Sequence, residues 1–283
     1  MLSASPDVME QKWVKKFRAW FVDYVAGFYG DDEYLNANVK LKEDHTQRTC
    51  EEIRYLAKEL DLSGNQTRIA EVIALFHDIG RFEQFVRYRT YVDSRSVNHC
   101  LLGLEILRQT KVLDGVAYPE RQLIEKAVEY HGSRELPKDL DGECLLFSKL
   151  IRDADKIDVL YVVTDYYRQY ADNPQGFKLE IELPDGPEYS TEVVKELLRG
   201  QRIDYSELRT LNDMKLCQLG WVYDVNFTPT LKRIKQRRLL EMLVDFLPKN
   251  KDIERVKEKI FEYVDFRISQ EKKEHNGNLS HMI

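Results

Sequence analysis

The chain has 283 residues, of which 43% are hydrophobic and 33% charged, and its formal net charge is −6. This composition is ordinary for a helix-rich globular protein, and the length suits one large or two small domains with a substantial core. The negative charge excludes a general electrostatic attraction to nucleic acid or to an anionic membrane, although a local basic cleft remains compatible with it.

The cysteines and the first residues suggest a cellular compartment. The four cysteines are scattered along the chain, at Cys50, Cys100, Cys144 and Cys217. They form no Cys-x-x-Cys pair, which argues against a zinc ribbon or a disulfide frame and predicts reduced thiols. Lys12, Lys15 and Lys16 interrupt any apolar signal core, and no stretch has the length of a membrane span. We therefore expect a cytoplasmic protein with no membrane partner, and no partner that is a nucleic acid duplex.

The chain begins with three elements that the hydrophobic pattern separates. An amphipathic helix is predicted from about Val8 to Tyr29, and a polar connection from Gly30 to Val39. A second helix is predicted from about Asp44 to Leu60, where Asp44 and Gln47 have the spacing of a capping box. His45 lies at the start of this predicted helix.

The next apolar helical run ends at two strong metal ligands of different type. Its core residues Ile69, Val72 and Phe76 have helical spacing and lead to His77-Asp78, and Gly80 is the expected stop signal. Burying an imidazole and a carboxylate without a partner is costly, and a divalent cation is a common compensation. The alternative is a core histidine with its hydrogen bonds satisfied, followed by a capping aspartate.

The stretch after Arg81 mixes aromatic and cationic side chains and has no clean period. Ser96 is the expected N-cap of the following helix, which has His99 in its first turn. Cys100 and Leu101 are placed by the helical period among the core residues of this helix.

Two further helices carry polar residues on core-facing positions. The first starts near Pro119, is ended by Gly132 and places His131 on its apolar face. The second is predicted from about Glu143 to Tyr170, and Asp155 and Asp158 interrupt its inward apolar row. Asp153 is a competing candidate for a ligand, but helical geometry places it away from that row.

Beyond Tyr170 the pattern changes. A short strand is predicted at 179–183, and amphipathic helices at about 191–199, 206–219, 230–246 and 252–269. Since almost every long segment has the helical period, we expect an all-α fold. The expected organisation is an N-terminal helix and connection at 1–39, a metal-binding helical core at 40–170, a C-terminal helical extension at 171–270 and a polar tail at 271–283.

Six residues at predicted helix ends form the candidate metal site: His45, His77, Asp78, His99, His131 and Asp155. Side chains at helix ends that meet at one end of a bundle can build such a site. Mixed imidazole and carboxylate ligands suit Mn, Fe, Ni, Co or Zn better than Ca, which prefers oxygen ligands.

Three segments around these residues resemble the HD-domain metal-dependent phosphohydrolases. They are Leu41–Thr46, Ala74–Arg81 and Leu150–Lys156, and they contain His45, His77-Asp78 and Asp155. The resemblance covers roughly residues 40–165 and is specific as a set. It implies an all-α helical bundle of the HD-domain type, with an N-terminal helix and a C-terminal helical extension.

His99 and His131 match the two additional histidines of the two-metal members of this family. The resemblance therefore implies one or two divalent ions, among Mn, Fe, Ni, Co, Zn and Mg. Asp78 would bridge the two ions, with His45, His77 and Asp155 on one and His99 and His131 on the other. The segment Tyr130-His131-Gly132-Ser133 lacks the Gly-Tyr-Pro signature of the cyclic-dinucleotide phosphodiesterases, which argues against that substrate.

The resemblance also implies catalytic roles. Alongside Asp78, Arg81 occupies the place of a phosphate-binding lysine and is expected to serve substrate rather than fold, and Lys156 could also touch phosphate. The alternative for both is a surface ion pair. Arg87 and Arg89 could bind substrate at the floor of a nucleotide pocket, or lie in a solvated loop. Asp158 is expected to hydrogen-bond a ligand histidine.

The function implied is hydrolysis of a phosphate mono- or diester in a nucleotide or another small phosphorylated metabolite. A di-iron oxygenase of the same fold, with the same ligand set, is the alternative, and a non-catalytic nucleotide sensor is a third class. The C-terminal helices could close over the site or form a homodimer interface.

Overall fold

The structure, a computed structural model, describes residues 9–140, 142–173 and 182–280, with side chains described up to residue 271. These residues form α-helices and short 3₁₀ helices and contain no strand, which confirms the all-α prediction. Most of the strand predicted at 179–183 lies outside the described residues, and the two described positions are in a loop.

The chain divides into two compact units, residues 1–158 and 159–283. The helices up to the division are α1 Gln11–Ala26, α2 Glu33–Glu59, α3 Gly64–Phe76, α4 Ile79–Tyr88, α5 His99–Gln109, α6 Tyr118–Tyr130 and α7 Gly142–Asp172. The division falls within α7, after Asp158. The remaining helices are α8 Thr191–Leu198, α9 Leu211–Leu219, α10 Thr228–Gln236, α11 Leu239–Asp245 and α12 Lys251–Ser280.

Helix α2 begins eleven residues earlier than its predicted start. Asp32 caps it, because its carboxylate accepts a hydrogen bond from the Leu35 amide at 2.9 Å. The predicted connection to Val39 and the capping box at Asp44 are therefore wrong, and Asp44 instead pairs with Lys40 at 2.7 Å on the helix surface. His45 consequently lies in the middle of a long helix.

Gly80 does not end a helix. Helix α3 ends at Phe76, and Gly80 is the second residue of α4, so the stretch predicted to be aperiodic is helical up to Tyr88. A Cβ at Gly80 would collide with the carbonyl oxygen of His99 and lie 2.7 Å from the Gly103 amide nitrogen. Glycine is needed there for the close approach of α4 to α5.

Aromatic packing holds the junction between α3 and α4. The rings of Phe17 and Phe76 lie 5.5 Å apart, and those of Phe21 and Phe82 lie 5.9 Å apart, both edge to face. All four side chains are buried, and burying each is worth about 1.5–3 kcal/mol. Helix α1 thus fixes the two helix ends that flank His77-Asp78.

Helix α5 is capped by Asn98 rather than by Ser96. The Asn98 side chain accepts a hydrogen bond from the Leu101 amide at 3.0 Å, so His99 is the first helical residue. Leu101 is 55% exposed and the prediction that it belongs to the core is wrong, whereas Cys100 is buried.

The second unit contains the predicted C-terminal helices. Helix α12 packs on α8 and α10, and α9 packs on α8 and α11. The predicted helix at 230–246 is divided into α10 and α11, because Arg238 has a left-handed backbone (φ 55°). Helix α12 continues to Ser280, into the predicted polar tail. Among the described helices, none combines the length and the apolar character needed to cross a bilayer.

Candidate metal centre

The six predicted ligands lie within the first unit, in two groups that share Asp78. The four histidines and Asp78 are buried, while the Asp155 side chain is 27% exposed. Helices α2 and α7 supply His45 and Asp155. The junction of α3 and α4 supplies His77 and Asp78. Two helix ends complete the set, since His99 begins α5 and His131 directly follows α6.

The first group contains His45, His77, Asp155 and one oxygen of Asp78. The Nε2 atoms of His45 and His77 are 3.3 Å apart. Asp155 Oδ1 lies 3.2 Å from His45 Nε2 and 3.8 Å from His77 Nε2. Asp78 Oδ2 lies 3.5 Å and 3.7 Å from the same two nitrogens. Four potential ligand atoms therefore converge.

The second group contains His99, His131 and the other oxygen of Asp78. The two Nε2 atoms are 3.1 Å apart. Asp78 Oδ1 lies 3.5 Å from each of them. Because its two oxygens face different groups, Asp78 has the geometry of a bridging carboxylate.

The other ring nitrogen of each histidine is already occupied. The acceptors, each 2.7 Å from Nδ1, are Asp158 Oδ2 for His45, the Ala74 carbonyl for His77, Asp93 Oδ2 for His99 and the Val128 carbonyl for His131. This pattern assigns the proton to Nδ1 and leaves a lone pair on every Nε2.

The four Nε2 lone pairs thus face one another in pairs in a buried space, beside two carboxylates. Lone pairs at 3.1–3.3 Å need a proton or a cation between them. Metal–ligand bonds of about 2.1 Å separate neighbouring ligands by about 3.0–3.4 Å in octahedral or tetrahedral geometry. The residues present therefore fit divalent cations.

Burial and neighbouring charges have opposing effects on the pKa values of the clustered side chains. Burial and Lys42 lower the pKa of His45, but hydrogen bonds with Asp155, Asp158 and Asp78 outweigh them and raise it to about 10. Burial lowers the pKa of His77 to about 4. Burial raises the pKa of Asp78, but Lys42 and the surrounding histidines hold it well below its ordinary value. The pKa values of these two adjacent imidazoles therefore shift in opposite directions, and strongly perturbed pKa values are typical of functional sites.

Two cationic side chains contact the bridging carboxylate. Lys42 Nζ lies 2.7 Å from Asp78 Oδ2, and Arg81 Nε lies 3.4 Å from Asp78 Oδ1. Lys42 was not predicted as a site residue. Its signal was present, because it precedes His45 by three residues and so shares a face of α2.

Arg81 also serves the fold. One of its terminal nitrogens donates to Gln84 at 2.9 Å, to the Tyr91 carbonyl at 2.6 Å and to Asp93 at 2.9 Å. Asp93 in turn holds His99, so Arg81 stabilises the loop that orients a ligand. The expectation that Arg81 serves substrate rather than fold is therefore too narrow, and contact with phosphate stays a prediction.

The other predicted cations differ in position. Arg87 pairs with Glu83, and Arg89 pairs with Asp32 at 2.7 Å. Both arginines are exposed and lie at the surface rather than among the ligand atoms. Lys156 is half-buried and adjacent to Asp155. The substrate-binding roles assigned to these three residues stay predictions.

The carboxylates of α7 separate by role. Asp155 Oδ1 lies 3.2 Å from His45 Nε2, which favours Asp155 over the fully buried Asp153 as the last ligand. Asp158 is fully buried and hydrogen-bonds His45, which confirms its predicted contact, and Arg48 donates to its other oxygen at 2.6 Å.

Cys100 is part of the second group, although the helical period had assigned it only to the core. Its Sγ lies 3.4 Å from His99 Nε2 and 3.6 Å from His131 Nδ1. Burial raises its pKa, but His131 and His99 outweigh this and lower it to about 6. Burial raises the pKa of Cys50 and of Cys217 to about 12.

Replacing Asp158 with asparagine should weaken metal binding by about tenfold or more, because the carboxylate fixes the tautomer and orientation of His45. Metal affinity measured by competition with a chromophoric chelator checks this. Asp44→Asn is the matched control, since the half-buried Asp44 pairs with Lys40 on the helix surface. Equal affinities in the two variants would contradict the orienting role.

Comparison with known proteins agrees with this geometry. Residues 43–160 match the family model described as HD domain. Neither the curated proteins nor the solved structures gave a match. HD domains bind divalent metals and are generally metal-dependent hydrolases. Residues 43–160 of this chain, which contain both histidine groups and the shared aspartate, are thus similar to an HD domain.

Proposed function

We propose that this protein is a metal-dependent phosphohydrolase that cleaves a phosphate mono- or diester in a nucleotide or another small phosphorylated metabolite. One observation carries the proposal. A buried aspartate faces two histidine groups with its two oxygens, and the cations Lys42 and Arg81 lie on either side of it. Imidazole and carboxylate ligands beside fixed positive charge suit an anionic substrate better than a neutral one.

Each part of the site has a role in this proposal. Divalent cations held by these residues would acidify a water molecule and polarise the phosphoryl group, whose phosphorus atom that water attacks. Asp78 supplies one oxygen to each of the two groups and so fixes the distance between them. Lys42, Arg81 and the half-buried Lys156 supply positive charge for the phosphate oxygens, and the exposed part of Asp155 marks the side from which substrate enters.

A substrate panel tests the proposal. The metal-stripped protein is reloaded separately with Mn, Fe, Co, Ni, Zn or Mg and given p-nitrophenyl phosphate, bis-p-nitrophenyl phosphate and a set of nucleotides. We expect product release that a chelator abolishes and that one or two metals restore. Absence of hydrolysis with every metal, together with oxygen consumption by the iron-loaded protein, would contradict the proposal and support an oxygenase.

The number of metals is a separate prediction. The wild type should bind two ions per chain, and the His99→Ala/His131→Ala double variant should bind one, because the first group keeps all its ligands. Elemental analysis under saturating metal measures both, with helix content by circular dichroism as the folding control. One ion in both proteins would instead make these histidines substrate-binding or water-binding groups.

A further inference from the structure

Cys100 lies beside the two histidines of the second group. Its side chain is buried, with 2% of the residue exposed, and its Sγ is 3.4 Å from His99 Nε2 and 4.0 Å from His131 Nε2. The sulfur therefore lies within 4.0 Å of the two nitrogens that Asp78 Oδ1 faces at 3.5 Å, and it also lies 3.6 Å from His131 Nδ1. The thiol sulfur is thus a further potential ligand atom beside the two imidazoles.

The Nε2 lone pairs of the two imidazoles compete for few hydrogen-bond donors among the residues that the structure describes. Both Nδ1 atoms hydrogen-bond elsewhere, so the buried Nε2 atoms of His99 and His131 face each other at 3.1 Å as acceptors. One thiol proton can satisfy only one of them. A cation between the nitrogens and the sulfur satisfies all three.

The separations fit tetrahedral coordination. Bonds of about 2.3 Å to sulfur and about 2.05 Å to nitrogen or oxygen predict separations of about 3.6 Å for sulfur–nitrogen pairs and about 3.3 Å for the others. The observed sulfur–nitrogen distances of 3.4 and 4.0 Å lie on either side of the first value. The observed nitrogen–nitrogen and nitrogen–oxygen distances of 3.1 and 3.5 Å lie on either side of the second.

Gly132 keeps the space around the sulfur open. A Cβ at this position would lie 2.9 Å from Cys100 Sγ and 3.1 Å from His99 Cε1. The glycine that directly follows His131 thus permits the thiol and the imidazole to approach from α5. By comparison, the contact of the buried Cys50 is a backbone carbonyl 3.9 Å from its sulfur.

We propose that Cys100 is a thiolate ligand of the cation in the second group, which then has two nitrogens, one sulfur and one oxygen as protein ligands. The inference rests on the proposed metal centre but not on the identity of the substrate. A thiolate favours Zn, Co or Fe over Mg or Mn, whereas the first group offers only nitrogen and oxygen. The two sites therefore differ in metal preference, and the second is the softer.

Cobalt substitution tests the ligand directly. Wild-type protein is stripped and titrated with two equivalents of Co(II), and the sulfur-to-cobalt charge-transfer band in the near ultraviolet is followed. We expect this band in the wild type and in Cys144→Ser, the control for a cysteine outside the cluster. Cys100→Ser should lose the band and keep the visible cobalt transitions of the first group. A wild-type protein with two cobalt ions and no sulfur band would overturn the inference and leave the phosphohydrolase proposal standing, whereas a protein that binds no cobalt would overturn both.

Metal preference gives a second measurement that does not depend on spectra. Loss of a direct ligand should exceed the effect of an outer hydrogen-bond partner, so Cys100→Ser should weaken zinc at the second site by about tenfold or more. Manganese affinity should change by less than about threefold. Equal losses for zinc and manganese, or no loss for either, would overturn the inference.

Discussion

Replacing Asp78 with asparagine should weaken metal binding at both groups and lower kcat/KM for the phosphate ester by about 10³-fold or more. The reason is that one carboxylate supplies an oxygen to both groups. Removal of a single oxyanion donor in an enzyme costs about 10²–10³-fold, and loss of a bridging ligand removes charge stabilisation from two positions at once. Metal content by elemental analysis and initial rates under saturating metal measure the two effects.

Asp44→Asn controls for the change in charge. It removes the same negative charge from a half-buried residue that pairs with Lys40, and it should leave metal content and turnover at wild-type values. The melting temperature of each metal-free variant reports folding, since Asp78→Asn also deprives Lys42 of its ion pair. Two tightly bound ions in Asp78→Asn would contradict the bridging role.

Local sequence patterns predicted several residues of the site. His77 and Asp78 end an apolar helix, and Asp155 and Asp158 share a helical row that is otherwise apolar. In such rows a polar residue is conspicuous, because helical phase places it in the core. The contact of Asp158 with His45 followed from that phase and from the need of a ligand histidine for a partner.

The site residues that were not predicted lie where local sequence patterns indicate something else. Lys42 precedes the predicted helix start at Asp44, because the polar residues of 30–39 indicated a connection and hid the start of α2. Asp93 lies in a short 3₁₀ segment without hydrophobic period, yet it supports His99. Cys100 has the apolar character of a core residue, and only the approach of His131 from α6 shows its second environment.

Contacts between helices explain the remaining differences. A glycine after a histidine–aspartate pair has the local signature of a helix stop. Its actual cause is the neighbouring helix, because the backbones of Gly80 and Gly103 meet where α4 crosses α5. The sequence does not show that Gly80 meets Gly103, which is 23 residues away along the chain. The position of Gly80 within α4 was therefore not predictable from its sequence neighbours.

Gly80→Ala should therefore destabilise the protein by about 3 kcal/mol, the upper end of the usual cost of overpacking. The added Cβ meets backbone on α5, the His99 carbonyl and the Gly103 amide, and backbone within a helix cannot rotate away as a side chain can. At about 2–4 °C per kcal/mol for a protein of this size, the melting temperature should fall by about 6–12 °C. Thermal unfolding followed by circular dichroism measures the change.

The same substitution should also reach the metal centre, because the atom it displaces belongs to His99. A shift of α5 moves His99 Nε2 relative to His131 Nε2, and these two atoms are 3.1 Å apart in the wild type. The second group should therefore lose more metal affinity than the first. Gly30→Ala is the matched control, since a Cβ there has no atom within 4 Å and should change neither property. Equal melting temperatures for Gly80→Ala and Gly30→Ala, together with two ions bound at wild-type affinity, would contradict this prediction. Helices α4 and α5 would then have room to separate, and close packing at Gly80 would not be what holds His99 in place.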